Sequence, residues 1–95
     1  MADVLFNIRP KFVEKVSLAV LKLLMDDLRL MKVLNAAEVE QVTEEHRQRM
    51  DQARTLIDMV QKKGDEASNQ LMRCLQEKDP PLFNELGLNF AMDQR

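Results

Sequence analysis

Residues 18–31, LAVLKLLMDDLRLM, the turn KVLN at 32–35 and residues 36–45, AAEVEQVTEE, are the stretch whose reading decides the fold. Leu21, Leu24, Met25 and Leu28 recur at three- and four-residue spacing and mark one inward helical face, while Leu18, Leu23 and Leu30 lie elsewhere around the same helix. A helix apolar on more than one side is either central to a bundle or shares a second face with a partner. Asp26 and Asp27 interrupt this greasy run, and Glu38, Glu40, Glu44 and Glu45 follow on the next helix. Ser17 is placed to cap the first helix, and Asn35 with Glu38 has the spacing of a capping box, with Asn in place of the usual Ser or Thr. Two helices joined by a short turn therefore present an acidic face, and nothing in them is arranged for catalysis.

The chain around this pair is 95 residues long, one domain by length, and 45% hydrophobic. Two Gly, three Pro and neither Trp nor Tyr are poor material for a sheet with many turns, so an all-helical bundle is expected. A net charge of -2 argues against a nucleic-acid binder, whose domain carries a basic excess to displace counterions from phosphates. A single cysteine allows no internal disulfide, and MADVLFNIRPK has none of the features of a signal peptide. A reducing cytoplasm is the expected setting. Lys22, Asp26, Asp27 and Arg29 break the longest apolar run, leaving no segment of the roughly 20 apolar residues that a bilayer demands.

Helical periodicity continues on both sides. A first helix is expected over Asp3 to Val16, with Leu5, Ile8, Phe12 and Val16 inward, and Pro10 predicts a bend or a break into two short helices between Asn7 and Lys11. The second helix is expected over Leu18 to Met31, and the third, from Asn35, carries Val39 and Val42 inward. Met50, Ala53, Ile57 and Val60 mark a fourth helix, beginning near Gln48 and stopping at Gly64, with Lys62 and Lys63 suited to its negative end. A fifth runs from Asp65 to Lys78 and buries Ala67, Leu71 and either Cys74 or Leu75. Asp79, Pro80 and Pro81 start a short sixth helix docked by Leu82, Phe83 and Leu86 and closed by Gly87. Residues 89–95, NFAMDQR, have no periodicity and read as a flexible tail or the start of a linker, leaving 1–88 as the domain. His46 sits in a polar run with no second His to complete a metal site, and Cys74 beside Leu71 and Leu75 reads as a packing residue. No metal or cofactor is called for.

Several phrases carry a resemblance that covers nearly the whole chain: the MAD start, KFVEKV, the pair LLMDDL and KVLNAAEVEQV, MDQARTLIDMVQKKG and LQEKDPPLFNELGL. Together they resemble the caspase-recruitment domain, most of all the one at the N-terminus of inflammatory caspases and in the short proteins derived from them. The resemblance implies a six-helix antiparallel Greek-key bundle of the death-fold superfamily with a bent first helix. It also implies a non-enzymatic module that binds copies of itself or of related domains and clusters attached proteases. Its partners would be an adaptor, sensor or caspase bearing the same domain, with self-association expected.

By the same resemblance, a basic surface on the first and fourth helices meets an acidic one on the second and third. Here the acidic side would use Asp26, Asp27, Glu38 and Glu40, and the basic side Arg9, Lys11, Lys15 and Arg54. Without the resemblance, each of these reads as an ordinary solvated charge. Pro10 departs from the basic or polar run expected there. Two further readings stand beside recruitment: a free-standing decoy that occupies a caspase's or adaptor's surface, and a binder of anionic bacterial lipid through Arg47, Arg49, Lys62 and Lys63. The acidic balance and the lack of an exposed aromatic beside those four weigh against the lipid.

Overall fold

Local signals set the ends of the helices. The Ser17 side chain accepts from the Val20 amide at 3.1 Å, and Asn35 and Glu38 form the full capping box, Glu38 N–H to Asn35 Oδ1 at 2.8 Å and Asn35 N–H to Glu38 Oε1 at 2.9 Å. Asp79 accepts from the Leu82 amide at 3.2 Å ahead of Pro80 and Pro81. The computed structural model describes residues 2–88. Its six helices are α1 (Ala2–Lys15), α2 (Leu18–Leu30), α3 (Ala36–Glu45), α4 (Arg49–Lys62), α5 (Asp65–Lys78) and α6 (Pro80–Glu85), with no strand among the described residues. The expected tail, 89–95, lies outside the described residues.

Two helix ends solve the same problem differently. After α4, Gly64 takes φ +108° and its amide bonds to Gln61 O. After α2, the corresponding residue is Lys32 at φ +62°, with its amide on Arg29 O and that of Val33 on Leu28 O, a Schellman closure built on a residue with a Cβ.

Packing follows the apolar stripes. α1 lies chiefly on α4 and also on α5, α2 lies on α5 and α4, α3 on α4, and α6 on α5. Consecutive α1 and α2 thus take their main partners later in the chain, the crossing connectivity of a Greek-key bundle. Leu5, Phe12 and Val16 of the first stripe are fully buried, as are Leu21, Leu24 and Leu28 of the second. Both Cys74 and Leu75 are inside, so α5 buries the two residues between which the sequence left a choice.

Two expectations change. α1 continues as one helix through Pro10, so the alternative of two short helices does not occur. Proline costs one helical hydrogen bond there, to the carbonyl of Phe6 one turn back, while Leu5 and Phe12 on either side remain anchored in the core. Met50, expected inward, is 37% exposed, and Leu56 takes the buried place on α4 beside Ala53, Ile57 and Val60. Met50 sits in the first turn of its helix, where the stripe has not yet reached the core.

Candidate interaction surface

The eight candidate charges divide by what each already touches. On the acidic edge, Asp26 is exposed and Asp27 half-buried, with Asp27 3.5 Å from Lys78 Nζ at the end of α5. That proximity raises the Lys78 pKa above its ordinary value. Glu38 is more firmly held: while Oε1 completes the capping box, Oε2 lies 2.8 Å from Lys63 Nζ. The hydrogen bond from Lys63 pulls the Glu38 carboxyl below the usual carboxylate range, against the opposing effect of burial. Glu40 is exposed, beside Glu44 and Glu45 along a shallow polar depression that also includes Ala37 and Gln41.

The basic edge repeats the division. Arg9 on α1 reaches Asp58 on α4 through two parallel bonds, Nε to Oδ1 at 2.7 Å and Nη2 to Oδ2 at 2.9 Å. This fork raises the Arg9 pKa and lowers that of Asp58, the shared hydrogen bonds being the largest cause of each shift. Arg54 contacts Asp51 at 2.8 Å one turn back on its own helix, with both side chains nearly half exposed. Lys11 and Lys15 are exposed. Among the described residues, no ion pair holds Asp26, Glu40, Lys11 or Lys15. Each edge therefore carries both locked and free charges, two of each.

Arg49 has a task that the sequence reading missed. Its guanidinium donates to the carbonyls of Val13 at 2.8 Å, Val16 at 2.6 Å and Glu14 at 3.3 Å, closing the C-terminal end of α1 from the start of α4. A signal was present: a cation in the first turn of a helix opposes the helix dipole, so it has another use. Two of the four cations of the lipid reading are thus engaged within the fold, Arg49 on α1 and Lys63 on Glu38.

Cys74 and His46 are the remaining candidates. Cys74 is buried, and desolvation pushes its thiol up to about 11, the opposite of an activated nucleophile. His46 directly follows α3, and its carbonyl accepts from Gln52 Nε2 at 2.8 Å. Among the described residues, no group of His, Cys, Asp and Glu is placed to hold a metal, and no helix is long and apolar enough to cross a membrane.

A six-helix bundle with this connectivity is the architecture of the death-fold class. The caspase recruitment domain family matches residues 3–89, and the chain belongs to that family. Caspase-1-A of Xenopus laevis is 36% identical over 89 residues, covering 94% of this chain and 23% of that protein. Caspase recruitment domain-containing protein 18 of Homo sapiens is 32% identical over 90 residues, covering 94% of this chain and 100% of that protein. NLR family CARD domain-containing protein 4 of Bos taurus is 35% identical over 74 residues, covering 78% of this chain and 7% of that protein. The chain thus spans less than a quarter of the caspase-1 proteins it matches. No solved structure matches it.

Proposed function

We propose that this domain is a homotypic adhesive that recruits and clusters an inflammatory caspase. Its acidic edge on α2 and α3 docks on the basic edge, α1 and α4, of a related domain in an adaptor, sensor or caspase, or in a second copy. Clustering would bring attached protease domains together in the cytoplasm and drive inflammation and lytic cell death, the chain supplying contact and no chemistry of its own. The observation that carries the reading is the set of uncommitted charges, negative at Asp26 and Glu40, positive at Lys11 and Lys15.

The internal pairs refine which residues do the docking. Asp27, in a long single contact with Lys78, and Arg54, in a half-exposed contact on its own helix, re-pair at small cost. Arg9 and Glu38 hold their helices in place and define the edges from inside. One exposed pair contributes only about 0.2–1 kcal/mol, so specificity comes from several meeting at once in matched shapes. A patch that fits a different patch on the next copy is heterologous and propagates into a filament unless its rotation closes a ring.

The human relative matched along its whole length favours a second reading, in which the domain stands alone and occupies a caspase's or adaptor's surface as a decoy. Sedimentation velocity and electron microscopy across salt and protein concentration test adhesion itself. Assembly should begin at a threshold concentration that rises with salt. A monomer throughout, alone and mixed with a caspase-1 recruitment domain, refutes the reading.

A further inference from the structure

Asp27 is a docking charge of the acidic edge that a different helix already occupies. Lys78, the last residue of α5, places Nζ 3.5 Å from Asp27 Oδ2. Both side chains are sheltered, Lys78 at 27% exposure and Asp27 at 21%, whereas Asp26 next in the chain is exposed. α5 packs on α2, with Leu71, Cys74 and Leu75 buried along it. Just beyond Lys78, the Asp79 amide donates to Leu75 O at 2.8 Å and the Asp79 side chain caps α6 through the Leu82 amide. The stem of Lys78 therefore starts from a fixed place, and its ammonium swings on four carbons.

The pairs between helices differ in how firmly they hold. Arg9 and Asp58 share two parallel bonds at 2.7 and 2.9 Å, and Lys63 sits 2.8 Å from a Glu38 carboxylate whose other oxygen completes the capping box. Lys78 on Asp27 is a single contact at 3.5 Å, attraction without a well-formed hydrogen bond, so a cation from outside can replace it. Lys78 Nζ is also 3.7 Å from Glu77 Oε1, on a side chain that is 75% exposed. When Asp27 is taken, the ammonium has a second carboxylate to turn to. Both carboxylates contribute to the raised Lys78 pKa, Asp27 most, so the group is charged and shared between them.

Resting on the homotypic reading above, we propose that Lys78 is an internal competitor for Asp27: it occupies the carboxylate in the monomer, yields it to the cation of a docking partner, and so sets the concentration at which assembly begins. Two effects act in the same direction. The ammonium must leave Asp27 before an incoming Arg or Lys can pair with it, and while in place it cancels one negative charge of the edge and weakens the pull on a basic partner. On the basic edge, Arg54 has its counter-ion Asp51 on its own helix, nearly half exposed and screened by water. Lys78 belongs to neither edge, yet it governs one of them. A lysine in the last turn of a helix also suits the helix dipole. That role alone would make its loss lower stability and leave the assembly threshold where it is.

Lys78→Gln tests this in the full chain by sedimentation velocity across concentration, with circular dichroism and a denaturant midpoint as checks on folding. Assembly should begin at a concentration about two- to fivefold lower than for the wild type, the change that one partly exposed ion pair supports, although the variant loses a helix-end cation and is no more stable. Lys62→Gln removes the same charge from the last turn of α4 and should not lower the threshold. In an Asp27→Asn background Lys78→Gln should bring no gain, which separates release of Asp27 from release of Glu77. A Lys78→Gln threshold at or above that of the wild type, an equal gain in Lys62→Gln, or a gain that persists without the Asp27 charge would each overturn this proposal and leave the homotypic reading standing. Wild type and Lys78→Gln both monomeric throughout, alone and mixed with a caspase-1 recruitment domain, would overturn both.

Discussion

The α1–α4 edge and the α2–α3 edge are built alike but tied differently. On the basic edge the main tie is the Arg9–Asp58 fork, two short bonds with a guanidinium whose planar donors match the carboxylate. On the acidic edge the ties are lysines: Lys63 on Glu38 at 2.8 Å and Lys78 on Asp27 at 3.5 Å, each a point charge on a flexible stem. The first edge is therefore rigidly presented and the second is adjustable at Asp27. A charge's sign says which partner it would suit, whereas its existing bonds say whether it is available.

The largest change in folding stability expected from breaking this arrangement lies at Arg49. Arg49→Ala leaves three carbonyls at the end of α1 without their donor and should cost about 2 kcal/mol, read as a lower denaturant midpoint at unchanged slope. Arg9→Gln removes the fork and should cost about 1 kcal/mol, because the side chains are only partly withdrawn from water. Arg9→Lys should recover little of it, since an ammonium cannot donate the two parallel bonds. If Arg9→Gln proves neutral in stability yet abolishes assembly, Arg9 belongs among the docking charges and the division drawn here is wrong.

Acid sharpens the same comparison. Glu38 and Asp58 both have folded-state pKa values below their ordinary ones, so the unfolded chain binds these protons more readily. Their contribution is present above the ordinary carboxylate range and is lost as pH falls through the depressed folded values. Glu38→Gln and Asp58→Asn should each flatten the acid limb of a stability–pH profile. A limb as steep as the wild type's in both variants would remove these pairs from the account. The smallest effect is at Lys32: Lys32→Gly should stabilise by about 0.5–1 kcal/mol, because its φ of +62° strains a residue with a Cβ and not a glycine.

How much of this was legible in the sequence differs between fold and surface. The Ser17 cap, the Asn35–Glu38 box, the glycine stop at Gly64 and the proline start of α6 are local, and each is present as read. The inward stripe of α2 is likewise buried at each expected position. Met50 failed because periodicity gives direction around a helix but not how far the core extends along it. Pro10 failed as a breaker because packing of α1 on α4 and α5 outweighs one lost hydrogen bond. On the surface, the eight charges were legible as types, but not the division among them. Arg9 and Asp58 are 49 residues apart, and their meeting depends on how α1 crosses α4, which no local pattern encodes.

The most direct test of the central claim, that opposite edges of separate copies dock through charges still open to re-pairing, is a charge-swap measurement on Asp27 and Arg54. Assembly thresholds would be measured by light scattering for Asp27→Lys, for Arg54→Glu and for an equal mixture of the two. Each variant alone should remain dispersed with unchanged helical content, and the mixture should partly recover association, because the swapped signs meet across one interface. Unimpaired assembly in both single variants would contradict the account.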